Sequence, residues 1–177
     1  MSRLLPALPP GRVLPVVRAP SPVLSHPSQG ADARAEDVVR LAADLLATQR
    51  AAAGCVGLAA PQVGVALRVF SLDVTGHPKT RTCHGPIVLV NPVVTEGSRQ
   101  ERAREGCLSV PDLTGDVRRA GRLVVRGEIP GTGEEVTLET DAFEARAIAH
   151  EIDHLDGLLF LDRVAGAHAL HARKVYL

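Results

Sequence analysis

The stretch His150-Glu151-Ile152-Asp153-His154 holds two histidines four residues apart, with a glutamate directly after the first. On an α-helix, residues four apart share a face, so both imidazoles reach the same point in space. Two neutral ring nitrogens there can bind one divalent ion. Glu151 projects beside them, within reach of a water on that ion whose proton it can take. The motif is short, and a polar stretch of an ordinary surface helix is the competing reading. Here the histidine stripe continues upstream through Phe143 and Ala147. That turns the histidines inward, where two unpartnered imidazoles are costly, and it favours a metal site.

Catalytic sites of this kind use three protein ligands and leave one position for water. After His154 the chain offers Asp156, Asp162, His168 and His171. Gly157 is followed by Leu158, Leu159 and Phe160, so the H-E-x-x-H-x-x-G-x-x-H spacing is absent. The third ligand is therefore expected upstream. Cys107, in "REGCLSVP" (104–111), is a candidate, because coordination would hold it as a thiolate at neutral pH. Its competing reading is a small buried hydrophobe, as most free cysteines are. Farther upstream, "GCVGLAAPQVG" (54–64) is a loop of small residues with one amide, Gln62. It lacks the GK[ST] ending of a phosphate loop, so phosphate binding is a weak reading.

The elements that must position these residues are legible in outline. Val38, Leu41, Ala42, Leu45 and Leu46 recur at helical spacing, which predicts a helix over 34–52, with Gly54 a plausible stop. The runs 67–74 and 86–94 are apolar and β-branched and read as strands; 121–129 and 134–141 flank "PGTG" and read as a hairpin. A second helix is expected over 142–155, with Asp141 and Glu144 resembling a capping box. Helices and strands do not alternate regularly, so the expected class is α+β, with mostly antiparallel sheets packed around a central helix carrying HExxH.

Composition bounds the function. The 177 residues suit one domain with a real core. Lys+Arg and Asp+Glu are both 20, so no basic excess points to nucleic acid. No apolar run approaches the ~20 residues of a membrane span. Three cysteines, Cys55, Cys83 and Cys107, do not make a disulfide framework and fit a reducing, cytoplasmic setting. The first 31 residues hold three arginines, no acid and seven prolines. The arginines faintly resemble a transit peptide, whereas the prolines oppose the amphipathic helix such a peptide needs. A Pro-rich N-terminal extension at about 1–12 on a single domain spanning 1–177 is the preferred expectation.

Three segments in order, "VGLAAPQ" (56–62), "EGCLS" (105–109) and "HEIDHLDG" (150–157), resemble the three signature motifs of the peptide deformylases. The likeness spans roughly residues 13–163, and "LVNPVVTEGS" (89–98) adds to it. "VRRAGRLVV" (117–125) is similar to a hairpin that follows the cysteine motif in that family. The resemblance implies that Cys107, His150 and His154 are the metal ligands and Glu151 the general acid/base. It also implies that Gln62 and the backbone N–H of Leu108 stabilise the oxyanion. The implied metal is Fe²⁺, with Zn²⁺, Ni²⁺ or Co²⁺ able to substitute. The implied substrate is the N-formyl group on the initiator methionine of nascent proteins, met transiently near the ribosome and released as formate. An extended peptide is expected to pair with the backbone around Val56, Gly57, Leu58 and Gly106. Phe143 and Ala147 are expected to help line a methionine pocket, with simple core packing as the alternative. The chain departs from the family pattern at Cys55, where a glycine is usual, which puts a second thiol near the site. It departs also at Ala149, where glutamine is common. Arg119 fits a commonly basic position.

Two other classes compete with this reading: a zincin-type endopeptidase, built on HExxH alone, and a non-enzymatic domain with a metal closed by a fourth ligand from Cys55 or Cys83. Cys107→Ser separates the deformylase reading from the endopeptidase. Metal content measured after dialysis should collapse in this variant if Cys107 is a ligand, and it should stay unchanged in an endopeptidase that does not use it.

Overall fold

The computed structural model describes residues 4–173. Helix α1 (Glu36–Ala51) is followed by strands β1 (Gly57–Ala59), β2 (Val69–Leu72), β3 (Ile87–Gly97), β4 (Gln100–Cys107), β5 (Val110–Ala120), β6 (Arg122–Glu128) and β7 (Glu135–Asp141). Helix α2 (Ala142–Leu155) and the short strand β8 (Leu170–Ala172) complete the order. One sheet has the order β1-β2-β3-β6-β7 and the other β4-β5-β8. Every pair of neighbouring strands is antiparallel. The α+β expectation is met, and α2 carries the histidines where the periodicity placed it.

The five-stranded sheet lies between the two helices, and the strand period of two decides which side chain meets which helix. Phe70, Leu72, Ile87 and Leu89 pack with Ala145, Ile148, Ile152 and Leu155 of α2. Their neighbours Val69, Val88 and Val90 pack with Leu41, Leu45 and Leu46 of α1. Strands apolar on both faces must be covered twice, which is why β2 is buried along its whole length. β3 is buried over Ile87–Val90 and at Pro92, and from Val93 onward runs out into solvent. The change coincides with Asn91 at φ 50 and a register shift against β6. Asparagine tolerates that backbone, and its amide exchanges two hydrogen bonds with the backbone of Ala31, at 2.9 and 2.8 Å.

Two sequence-based expectations change. The hairpin over 117–125 is not one: β5 ends at Ala120 and β6 begins at Arg122, and the two strands belong to different sheets. The hairpin after the cysteine is instead β4–β5, of which Cys107 is the last residue of the first strand. Its charged run "QERAREGC" hides its strand character, because most of its side chains stand in solvent. The capping box at α2 is also absent. Asp141 accepts the Thr82 N–H at 3.0 Å, and the fully buried Glu144 accepts the His84 N–H at 2.8 Å. Both side chains tie the 75–86 loop to α2 instead of closing on their own helix. Of the Pro-rich extension, residues 1–3 lie outside the described residues. The rest packs along α1: Leu5 and Leu8 join its core, and Arg12 pairs with Asp44 at 2.9 Å.

Ile148 is wholly buried between α2 and the sheet. Ile148→Ala should lower the free energy of unfolding by about 2–5 kcal/mol, read from urea midpoints. A loss under 1 kcal/mol would mean that the interface closes over the void.

Candidate metal and catalytic site

His150 and His154 lie one turn apart on α2, with ring centroids 4.9 Å apart and edge-on. β4 delivers Cys107 to the same place, with Sγ 3.2 Å from His154 Nε2. One ligand atom from each of the three lies within 4.8 Å of the others, and together they could hold a metal ion. The downstream candidates are engaged elsewhere: His171 with Asp116, Asp156 with Arg68, and Asp162 with the Leu159 N–H. His168 is not part of the cluster. Among the described residues, the group that could hold an ion thus draws its third ligand atom from upstream, at Cys107.

Glu151 is buried, and its Oε2 has no hydrogen-bond partner among the described residues. An orphaned carboxylate oxygen beside three metal-type ligands is what a site shaped for a bound water would present. Gly57 explains how the carboxylate fits: a Cβ there would stand 2.5 Å from Glu151 Oε1 and 2.9 Å from Cδ. Only a residue without a side chain lets β1 approach α2 this closely. Burial raises the Glu151 carboxyl to a pKa of about 7.

Gln62 is placed by its own loop. The Ala59 N–H donates to Gln62 Oε1 at 3.0 Å, which turns Nε2 toward Ser109 Oγ at 3.2 Å and Cys107 Sγ at 3.3 Å. The donor end of the amide therefore faces the ligand cluster. Leu108, next to Cys107, lines the same cavity.

Behind the ligands sits a buried charge network that sequence reasoning missed. His150 Nδ1 meets Glu105 Oε2 at 2.9 Å, which leaves Nε2 free to face the site. Arg119 grips Glu105 with two bonds, at 2.5 and 2.9 Å, and reaches Asp153 Oδ2 at 2.7 Å. Arg163 holds the same Asp153 from outside at 2.6 Å. Burial works against a positive His150, yet its bonds to Cys107 and Glu105 raise its pKa well above normal. Surroundings that favour a proton there favour any cation. Burial, with the charges of His150 and Arg119, holds the His154 pKa well below normal and keeps that ring neutral, as a ligand must be. Glu105 stands two residues before Cys107, and a ligating histidine usually has such a partner. That was the available signal. Arg119 carried only its fit to a commonly basic position, and Asp153 carried no signal, because their meeting is purely tertiary.

The site opens into a cavity of about 530 Å³. Val56, Gly57, Gly106, Phe143 and Ala147 line it, as expected. Leu58 does not. It is fully buried in the α1 core, because alternation along β1 turns it to the opposite face from Gly57. Cys55 lines the cavity and approaches the Gly57 carbonyl at 3.1 Å. Burial, and then the charge of Glu151, push its pKa up to about 12, so it stays a protonated thiol and not a reactive thiolate. His77 stacks on Phe143 with centroids 3.6 Å apart and closes one wall.

Arg119→Leu would leave Glu105 and Asp153 buried without their shared cation. The variant should lose about 3–5 kcal/mol of stability in urea titrations. It should also release metal about 10–100-fold more readily to a competing chelator. No change in either measurement would mean that the network does not support the ligands.

Comparison with known proteins agrees with this geometry. Residues 13–169 match the family model described as polypeptide deformylase. A peptide deformylase of Desulforudis audaxviator is 43% identical over 164 residues, covering 92% of this chain and 98% of its own. Peptide deformylase 1 of Bacillus cereus is 41% identical over 152 residues, covering 86% and 92%. Among solved structures, the Met-Ala-Ser-bound class I type b peptide deformylase of Acinetobacter baumannii superposes with a TM-score of 0.77 at 33% identity, covering 86% of this chain and 98% of that one. The actinonin complex of the Ehrlichia chaffeensis peptide deformylase gives 0.81 at 31% identity, covering 89% and 92%. On these matches, which run over nearly the whole chain, the protein belongs to the polypeptide deformylase family.

Proposed function

We propose that this chain is a metal-dependent hydrolase that removes the N-formyl group from the initiator methionine of nascent polypeptides, releasing formate. The observation that carries the reading is the convergence of Cys107, His150 and His154 with Glu151 and Gln62 at one end of a cavity. The names of the relatives support it, as does the Met-Ala-Ser peptide bound by the Acinetobacter baumannii protein. One soft thiolate and two imidazoles fit Fe²⁺ or Zn²⁺, and also Ni²⁺ or Co²⁺. We assign Fe²⁺ as the resident ion, with His150, His154 and Cys107 as its ligands. An ion held there supplies Lewis acidity and lowers the pKa of water toward neutrality.

The chain's own groups do the rest. Glu151 accepts a proton from the attacking water at its unpartnered Oε2 and returns it to the departing amine nitrogen. Gln62 Nε2 and the Leu108 N–H donate to the formyl oxygen as negative charge gathers on it. β1 is an edge strand, so an extended peptide can pair with it along Val56 and Gly57, with Gly106 on the other side. The methionine side chain then lies against Phe143 and Ala147. The substrate places the enzyme in the compartment where nascent chains are made, in transient proximity to the ribosome. Residues 1–177 act as a single catalytic domain, with the Pro-rich start as an extension of it.

Anaerobically prepared protein loaded with Fe²⁺ or Ni²⁺ should release formate from a formyl-Met tripeptide. Glu151→Ala should abolish release while keeping its metal, and Gln62→Ala should lower kcat by about 10²–10³. Folded, metal-loaded wild-type protein that releases no formate would overturn the assignment.

A further inference from the structure

The whole chain has no excess of either charge, with 20 basic and 20 acidic residues, but its site cavity does. Lys79, Arg104, Arg146 and Arg173 all line it, against two carboxylates, Glu105 and Glu151. Glu105 is consumed by Arg119 and His150, and Glu151 is buried at the reaction centre. Two of the four cations have partners: Arg104 is held by Asp116 at 2.9 Å, and Arg146 stands 4.0 Å from Glu101. Among the described residues, Lys79 and Arg173 have no carboxylate within ion-pair distance.

Arg173 is delivered to this place. β8 pairs with β5 from Leu113 to Gly115, and the Arg173 N–H then donates to the Asp112 carbonyl at 2.9 Å. This pins its backbone at the cavity rim. Its side chain folds across Gly106, so closely that a Cβ at Gly106 would collide with Arg173 Nη2. Gly106 immediately precedes the ligand Cys107, so the guanidinium lies along the path proposed above for the peptide. Lys79 comes from the loop between β2 and β3. That loop is held over the cavity by the His77–Phe143 stack, and the Lys79 N–H reaches His77 Nδ1 at 3.3 Å. Two separate elements thus aim uncommitted cations into one substrate channel. A guanidinium fits a carboxylate with two parallel hydrogen bonds, and an ammonium adds a point charge.

We propose that Arg173 and Lys79 form a carboxylate-binding subsite beyond the methionine pocket, so that the enzyme favours formyl-methionyl peptides with Asp or Glu at the second or third residue over those with Lys or Arg. This rests on the deformylase reading and extends it to the side chains that follow methionine. Lys79 is exposed and Arg173 half-buried, so the subsite's contribution is that of part-exposed charge pairs. A three- to ten-fold preference, about 0.7–1.4 kcal/mol, is the expected scale.

The test uses the metal-loaded full chain and three C-terminally amidated peptides, formyl-Met-Ala-Glu, formyl-Met-Ala-Gln and formyl-Met-Ala-Lys, with kcat/KM read from formate release. The glutamate peptide should exceed the lysine peptide about three- to ten-fold, mainly through KM, and the ratio should shrink as salt rises. Arg173→Gln and Lys79→Gln should each lower the ratio toward one, while Arg173→Lys should retain most of it. Equal turnover of the acidic and basic peptides, or a ratio unmoved in both glutamine variants, overturns the subsite and leaves the deformylase reading standing. Formate from none of the three peptides overturns that reading itself.

Discussion

One buried guanidinium, that of Arg119, links the two sheets of this protein through the helix between them. It satisfies Glu105 on β4 and Asp153 on α2 at once. Removing either carboxylate from water is costly, and a shared cation with good geometry offsets much of it. That constraint orients α2 against the β4–β5 hairpin. Once it is met, Glu105 is in place to accept from His150 Nδ1, and Cys107, two residues along the strand, is in place beside His154 Nε2. The placement of the three candidate ligands therefore depends on a charge network behind them.

The Glu151 carboxylate depends on a second constraint, which is steric. β1 passes so close to α2 that Gly57 and Glu151 share a space in which a Cβ cannot fit. The same strand turns Leu58 into the α1 core and leaves its other edge unpaired. Three consecutive residues thus pack against Glu151, anchor the strand and leave a backbone edge exposed. Gln62 follows from the next turn, its amide fixed by the Ala59 N–H so that its donor end faces the ligands. Gly57, which makes room for Glu151, and Gln62 come from one short stretch, and their relative positions are set by a single strand and one turn.

Each layer limits what the outer one can be. The stack of His77 on Phe143 ties the 75–86 loop to α2, and the buried Glu144 ties the same loop by its contacts with His84. β8 closes on β5 from the other side. The cavity walls are therefore held by side-chain and strand contacts at several points, which is how a loop can present a charged residue in a defined place.

The sequence alone determined whatever has a local period or spacing. The two helices, β2, β3 and the β6–β7 hairpin follow from apolar recurrence at 3.6 or 2 residues. The shared face of the histidine pair and its glutamate follows from helical spacing. What needed the tertiary structure has no such period. β4 is a strand because β5 pairs with it, although its charged residues read as loop. Glu144 and Asp141 turn away from their own helix because the 75–86 loop offers backbone N–H groups. Leu58 leaves the cavity because the sheet has a helix on each face. Arg119, 34 residues from Asp153 along the chain, meets it only when both sheets close on α2. Hydrophobic period is a property of neighbours in sequence, whereas a buried ion pair is a property of neighbours in space, and only the folded chain brings the second kind together.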